Sequence, residues 1–319
     1  MNVGIFIQIP NRAIAWSMTI AILFCLTFLT TSCSPSRVAG GGGIETVAIT
    51  VPIPASASKL GATLIDRSSG TSVLIPAGSR TATITVVKGS SIYLELITSI
   101  DTILIMNDDV LTTPRPILLV TGSYGPNTGA DSLVRAHLMA GGYLVIPVRD
   151  SSLTVSDTAN MTGIVISTTI DERIIENRFA QTSIPLVNCE FRLQAGLSLT
   201  GDSETLDFGS RHPVDTLSIG DTNFSAGITG SIRFFTTAAD SLRHCDWGLA
   251  PAGAHLIAVD PTAPTHAQVY AIDRGAALHT GTAPARRSAF LFWTADTKNL
   301  TTSAWRIFEN LTRWTFETN

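Results

Sequence analysis

The sequence predicts an α/β protein in which a doubly wound sheet is preceded by a small antiparallel β-sandwich. Two patterns lead to this prediction. Residues 44–113 alternate apolar and polar side chains with a period of two and show no helical period, whereas residues 115–319 alternate short apolar runs with amphipathic segments. The 319 residues suffice for two domains. The net charge of −4 argues against a nucleic-acid partner, which would require a basic surface.

Residues 1–32 have the order of a bacterial export signal. Arg12 precedes an apolar run from Ile14 to Leu29, and small polar residues then lead to Cys33. This ending resembles the lipobox of bacterial lipoproteins, which implies that Cys33 is lipidated and becomes the first residue of the mature chain. An uncleaved membrane anchor is the alternative, although the apolar run is shorter than the about 20 residues of a membrane span.

Residues 33–43 are predicted to form a flexible tether, because they contain four consecutive glycines, Gly40 to Gly43, and nothing that could pack. A tether behind a lipidated cysteine would hold the chain at a membrane surface outside the cytoplasm. Ser34 follows Cys33, and by resemblance to lipoprotein sorting signals this predicts the outer membrane. We therefore expect a lipid-anchored protein of the cell envelope, with the membrane as one partner.

Residues 44–113 are predicted to form the β-sandwich. The alternation is clearest in residues 81–86, where threonines face one way and apolar side chains the other, and it recurs in residues 92–96. A turn at Lys88-Gly89-Ser90 joins these two strands.

Residues 115–319 are predicted to form the α/β domain. Its first strands fall at residues 117–120, 143–148, 163–167 and 184–187, with helices at 128–141 and 171–180 between them. Later strands are expected near residues 255–259, 267–272 and 288–293. A final helix has a buried stripe formed by Ala304, Trp305, Phe308, Leu311 and Trp314.

Residues 115–316 resemble the flavodoxin-like, class I glutamine amidotransferase-like superfamily, especially its ThuA-like branch. The segments that carry the resemblance are Leu118 to Gly125, Ile184 to Glu190, Arg211-His212-Pro213, Gly275-Ala276-Ala277 and Ala283 to Arg287. The resemblance implies a flavodoxin-like doubly wound sheet. Because these motifs are structural, they imply the fold far more than an activity.

In such folds, ligands bind outside the carboxyl ends of the strands, near the point where the strand order reverses. Loops 123–127, 168–169 and 190–192 are therefore expected around one crevice. The candidate ligand-binding residues are Tyr124, Asn127, Glu190, Arg192 and Arg287. The alternative is an internal ion pair between Glu190 and these arginines, since guanidinium groups pair bidentately with carboxylates.

Cys189 follows the fourth strand, where the amidotransferase relatives carry their nucleophile. His279 is the candidate base. The relatives have glycine two residues before and after the cysteine, whereas this chain has Val187 and Phe191, and no acid is placed to orient His279. We therefore expect no catalysis at Cys189. Two non-catalytic states of Cys189 stay open, namely a disulfide with Cys245, which export would permit, and a plain half-buried thiol.

The sequence contains no cluster of His, Cys, Asp or Glu with metal-ligand spacing and no phosphate-binding lysine motif, so neither a metal nor a cofactor is predicted. The patterns favour a non-catalytic surface module that binds a glycan or a protein partner. A cysteine-dependent hydrolase of amidotransferase type and a structural envelope protein are the alternatives.

Overall fold

The computed structural model describes residues 46–53, 58, 61–87, 92–98, 102–108, 115–122, 129–211, 214, 216–236, 245–292 and 294–317. The predicted signal and tether, with Cys33, lie outside these residues. Residues Ile44–Asn319 belong to one compact unit. Among the described residues, no helix is long and apolar enough to cross a membrane.

The strands are β1 (Thr46–Pro52), β2 (Ala62–Asp66), β3 (Ser72–Ile75), β4 (Thr81–Val87), β5 (Ile92–Thr98), β6 (Thr102–Asp108), β7 (Arg115–Thr121), β8 (Tyr143–Arg149), β9 (Gly163–Ile166), β10 (Leu186–Asn188), β11 (Phe208–Arg211), β12 (Thr216–Ile219), β13 (Ser231–Arg233), β14 (Cys245–Gly248), β15 (His255–Asp260), β16 (Ala263–Ile272) and β17 (Arg287–Phe290). The α-helices are α1 (Gly129–Ala140), α2 (Glu172–Ile175), α3 (Leu193–Gly196) and α4 (Thr302–Phe316). Short 3-10 helices span Asp150–Ser152, Val155–Thr158 and Thr294–Asn299.

Neighbouring strands of the largest sheet run parallel in the order β8-β7-β9-β10-β17. Taken along the chain, these are the second, first, third, fourth and fifth parallel strands, which is the order of flavodoxin-like doubly wound sheets. The sequence of β7 explains its central position in this sheet. Its residues from Ile117 to Thr121 are all buried, as expected of a strand that is covered on both faces.

Helices cover both faces of this parallel sheet. Ile117 and Leu119 of β7 join a core that contains Val134 of α1 and Phe308 of α4. Leu118 and Val120 point the other way and join a second core, with Ile175 of α2 and Leu193 of α3. Because successive side chains of a strand alternate between faces, one apolar run supplies both cores.

The sheet continues past β17 with antiparallel strands. Its order there is β16-β15-β12-β13, and β14 pairs with both β16 and β11. Parallel and antiparallel pairs therefore occur in one mixed sheet. This sheet confirms the predicted α/β architecture at the level of a large mixed sheet with helices.

The strands of residues 46–108 form two antiparallel sheets, β1-β4 and β3-β2-β5-β6. Strand β4 alternates buried and exposed residues along its whole length, as the threonine pattern predicts. The core between the sheets also contains Leu144 and Ile146 of β8, and neither side chain is exposed. Arg80 adds an ion pair to Asp157 at 3.1 Å. These contacts join residues 46–108 to the edge of the mixed sheet, while a domain boundary near residue 114 stays a prediction.

One helix and four strands differ from the expected elements. The helix predicted at 171–180 is the single turn α2, because Glu176 has a φ of 48°, in the left-handed region that ends a helix. Strands β11 to β14 were not predicted from the sequence, since each has only three or four residues and too few alternations to detect.

Candidate functional site

The candidate site lies at the carboxyl ends of β7, β9 and β10. Val120 pairs with Ile166, and Ile166 pairs with Asn188. The residues that follow, Thr121, Ser167 and Cys189, therefore stand side by side across the sheet, on the face that α1 covers. This row includes the β7–β9 switch point at which a flavodoxin-like fold binds its ligands.

Asp131, in the first turn of α1, contacts this row at Ser167 and also binds the nearby Thr169. It is fully buried and accepts hydrogen bonds from the hydroxyls of Ser167 and Thr169, the latter at 2.9 and 3.0 Å. Burial raises the pKa of its carboxyl, against the opposing effect of the two hydroxyl bonds. Through these hydrogen bonds, the Asp131 carboxyl fixes α1 relative to the loop that follows β9.

Gly122, the residue after β7, contacts the same loop after β9. Its N–H donates to the Thr169 hydroxyl at 2.9 Å. A Cβ at this position would overlap the carbonyl of Thr169, so only glycine permits so close an approach of the two loops. The Thr121 hydroxyl is buried in the same row and has no hydrogen-bond partner among the described residues.

Cys189 is not arranged as a nucleophile. Its side chain is fully buried, and burial raises the pKa of its thiol, as do the charges of Glu190 and Asp131. It is not among the described non-glycine residues with positive φ, so the strained turn that presents a nucleophile is missing. Thr168 donates a hydrogen bond to the Phe292 carbonyl at 3.1 Å, which joins the segments after β9 and β17 on either side of Cys189.

The structure does not bring His279 to Cys189. His279 lies in the turn between β16 and β17, where its backbone N–H donates to the Ser198 carbonyl at 2.9 Å. Ile272 at the end of β16 pairs with Arg287 at the start of β17, so this turn lies at the amino edge of the parallel strands. Cys189 lies at their carboxyl edge.

The structure does not join Cys189 to Cys245, a pairing that the sequence left open. Both residues are free, buried thiols. Cys245 begins β14, and its Sγ lies 3.8 Å from the Val214 carbonyl oxygen, to which it donates. The apolar core around the two thiols accommodates them unbridged.

Glu190 is the strongly perturbed acid of the site. Burial raises the pKa of its carboxyl to about 8, and the charges of Asp246 and Glu172 act in the same direction. A hydrogen bond opposes this rise: the backbone N–H of Arg192 donates to Oε1 of Glu190 at 3.1 Å. Asn188 holds the turn, because its side chain donates to the Glu190 carbonyl at 2.8 Å and accepts the Glu190 N–H at 3.2 Å.

The two arginines do not form the expected ion pair with Glu190. The Arg192 guanidinium is half exposed, lies 3.7 Å from a carboxylate oxygen of Glu204 and stands 4.8 Å above the Phe191 ring. Arg287 is fully buried at the amino end of β17 and donates to the carbonyls of Thr182 and Ile184. Since Arg287 pairs with Leu186, four residues before Glu190, it lies away from the crevice.

Two further candidates, Tyr124 and Asn127, lie outside the described residues. Among the described residues, no group of three His, Cys, Asp or Glu side chains could hold a metal ion. Asp131 and Ser167 were not predicted as site residues from the sequence, whereas Thr169 lies in a loop that was predicted to border the crevice. A signal for them exists, since Ser167-Thr168-Thr169 directly follow a buried strand and Asp131 lies near a helix start.

No protein-family model matches the sequence, and no curated protein matches it. Similar solved structures include a glutamine amidotransferase from Thermotoga maritima, at 9% identity over 65% of this chain and 100% of that chain, with a TM-score of 0.41. A protein described as ThuA-like from Parabacteroides merdae has 13% identity, covering 64% and 90%, with a TM-score of 0.42. A glutamine amido transferase from Methylobacillus flagellatus has 14% identity, covering 50% and 66%, with a TM-score of 0.33. These similarities give no residue of this chain a role.

Proposed function

We propose that this chain is an exported lipoprotein, anchored through Cys33 in the outer membrane. Its amidotransferase-like module binds a glycan or protein partner at the carboxyl-edge crevice and performs no thiol chemistry. The observation that carries the proposal is the state of Cys189. Its thiol is fully buried, and burial raises its pKa. A catalytic cysteine must be reachable and must form its thiolate near neutral pH.

The polar groups of the crevice support binding rather than reaction. Asp131 is occupied by the Ser167 and Thr169 hydroxyls and is fully buried. The half-exposed Arg192 guanidinium, stacked on Phe191, presents free N–H donors beside the site. Guanidinium groups suit the hydroxyl and carboxylate oxygens of glycans and the acidic side chains of proteins.

The anchoring part of the proposal rests on the order of residues 1–43. Cys33→Ala is expected to abolish incorporation of labelled palmitate, and fractionation should place the normal chain in the outer membrane. Continued labelling of the variant would refute the lipid anchor. Recovery entirely in the inner membrane would refute the sorting assignment.

The binding part is tested with the full chain on a glycan array, and by cross-linking to intact envelope. Arg192→Ala should lose the captured partner, whereas Arg274→Ala, at an exposed arginine outside the crevice, should retain it. Cys189→Ser should also retain it, and alkylation of native Cys189 should be slow. A glycan or a protein that depends on Arg192 would each support the proposal.

Two outcomes contradict this function. Ester or amide hydrolysis that is lost in Cys189→Ser would make the chain a cysteine-dependent hydrolase. Capture that Arg192→Ala leaves unchanged would remove the crevice as the binding site and favour a structural envelope protein.

A further inference from the structure

A second concave site lies between the end of α1 and the polar face of α4. The cavity there has a volume of about 400 Å³, within the range of roughly 300–1,000 Å³ that is usual for ligand sites. Tyr143, the first residue of β8, contributes to its wall. The cavity is therefore at the amino edge of the parallel sheet, opposite the crevice around Cys189.

Two arginines give this cavity its charge. Arg306 and Arg313 are seven residues apart on α4 and so project from the same side of the helix. Arg306 donates to the Ala226 carbonyl at 3.3 Å, and Arg313 donates to Asn310 Oδ1 at 2.5 Å. Each contact uses one of the five N–H donors of a guanidinium, so most donors of both side chains remain available.

The acid in the cavity is already engaged. Glu309 Oε1 lies 2.7 Å from His137 Nδ1, and the His137 ring stacks on Trp305 with centroids 3.9 Å apart. The stacking fixes the imidazole, which holds the carboxylate beside it. Arg306 and Arg313 outnumber Glu309 among the charged residues that line the cavity, so a net positive charge remains for a ligand.

The wall of the cavity opposite α4 includes Ala226, which contacts Arg306. Ala226 has a φ of 55°, which is costly for a residue with a Cβ, and its carbonyl accepts the Arg306 hydrogen bond. Gly141 and Tyr143 lie at the other side, where a Cβ on Gly141 would come within 3.2 Å of the Tyr143 ring.

We propose that this α1–α4 cavity binds a small molecule through a carboxylate or phosphate group, held by Arg306 and Arg313. The planar fork of a guanidinium matches both kinds of oxyanion bidentately, and both guanidinium groups line this cavity. The site is separate from the crevice of the proposed function, and neither depends on the other.

Calorimetric titration of the full chain tests this site with inorganic phosphate, galacturonate and, as a neutral control, glucose. At least one of the two anions should bind, and glucose should not. Arg306→Ala and Arg313→Ala should each weaken binding by about tenfold or more, because each removes a charge-assisted contact. Arg306→Lys should fall between, since lysine keeps the charge and loses the fork.

Arg274→Ala serves as the matched control, and thermal unfolding verifies that every variant is folded. Binding of phosphate alone assigns a phosphorylated ligand, and binding of galacturonate alone assigns a carboxylated one. Either result supports the site if it depends on the two arginines. Absence of binding by both anions at millimolar concentration would overturn the proposal. So would equal affinity in the folded Arg306→Ala, Arg313→Ala double variant.

Discussion

Glu190 is a carboxyl whose environment, rather than a charged partner, sets its behaviour. Its folded pKa of about 8 lies above the ordinary value of 4.5, so the folded protein binds this proton more tightly than the unfolded chain. The contribution of Glu190 to stability is therefore fully present below pH 4.5. It is lost as the pH rises through 8.

Glu190→Gln should flatten this dependence. The amide keeps an oxygen for the Arg192 N–H and cannot ionise. We expect little change near pH 5 and a gain of a few kcal/mol near pH 9, since one pKa unit corresponds to about 1.4 kcal/mol. Urea unfolding between pH 4 and 9 measures this, with the half-exposed Glu204→Gln as control. A variant that is less stable than the parent at pH 9 would contradict the protonated state.

His255 is the second pH-dependent residue. Burial lowers the pKa of its imidazole, but hydrogen bonds to Asp273 at 3.0 Å and Asp221 at 3.1 Å outweigh burial and raise it. The bridge is complete below the ordinary pKa of 6.5 and is lost as the pH rises through the higher folded pKa.

His255→Gln should therefore destabilise the protein at pH 5.5 by up to about 1 kcal/mol, the usual size for partly exposed ion pairs. At pH 9 the difference between variant and parent should shrink. Thermal melts at both values measure it, with the exposed His279→Gln as control. An equal loss at both values would mean that His255 acts through its ring contacts with Phe224 and Trp314 rather than through its charge.

Residue roles were predicted from the sequence with mixed success, for a physical reason. The flanks of Cys189 argue against a nucleophile turn from the sequence alone, because the presence or absence of glycine is visible locally, and this stays a prediction. The position of Arg287 was not visible, since its partners Thr182 and Ile184 are set by a strand pairing across about a hundred residues. Local chemistry can be read from a sequence, whereas long-range partners require the register.

Helix α4 shows what can be predicted at the scale of an element. Its buried residues Ala304, Trp305, Phe308 and Leu311 match the predicted stripe, and Trp314 lies partly buried beside it. Fifteen residues with helical spacing make such a stripe unambiguous. Strands of three or four residues, such as β13, offer no comparable repetition, and only their partners define them.

The N-cap of α4 provides a test at this scale. Thr301 Oγ1 accepts the Ala304 N–H at 3.2 Å and donates to the Arg233 carbonyl at 2.9 Å. Thr301→Ala should lower the free energy of unfolding by about 1 to 2 kcal/mol, measured by urea titration. The exposed neighbour Thr302→Ala should change it by less than about 0.5 kcal/mol. Equal effects would show that the cap contributes nothing.

At the scale of the molecule, the strands of residues 46–108 and the mixed sheet share apolar surface. Protease is expected to cut in the glycine tether or near residues 112–115, at the predicted boundary between the two domains. The fragments should still co-elute in size-exclusion chromatography, because Leu144 and Ile146 are fully buried in the core with β1, β2, β4 and β5. Separate elution of a folded fragment starting near residue 115 would instead establish two independent domains.

The pairing of β10 with β17 also constrains how this protein can be made. Arg287 bonds the Ile184 carbonyl 103 positions earlier, and β10 meets β17 along the same stretch. A chain that leaves the ribosome or a translocon with its amino end first exposes β10 as an unpaired apolar edge until β17 follows. Such edges template aggregation, and pairings between distant segments form slowly. The edge of β10 thus stays open to aggregation until β17, which begins at Arg287, has emerged.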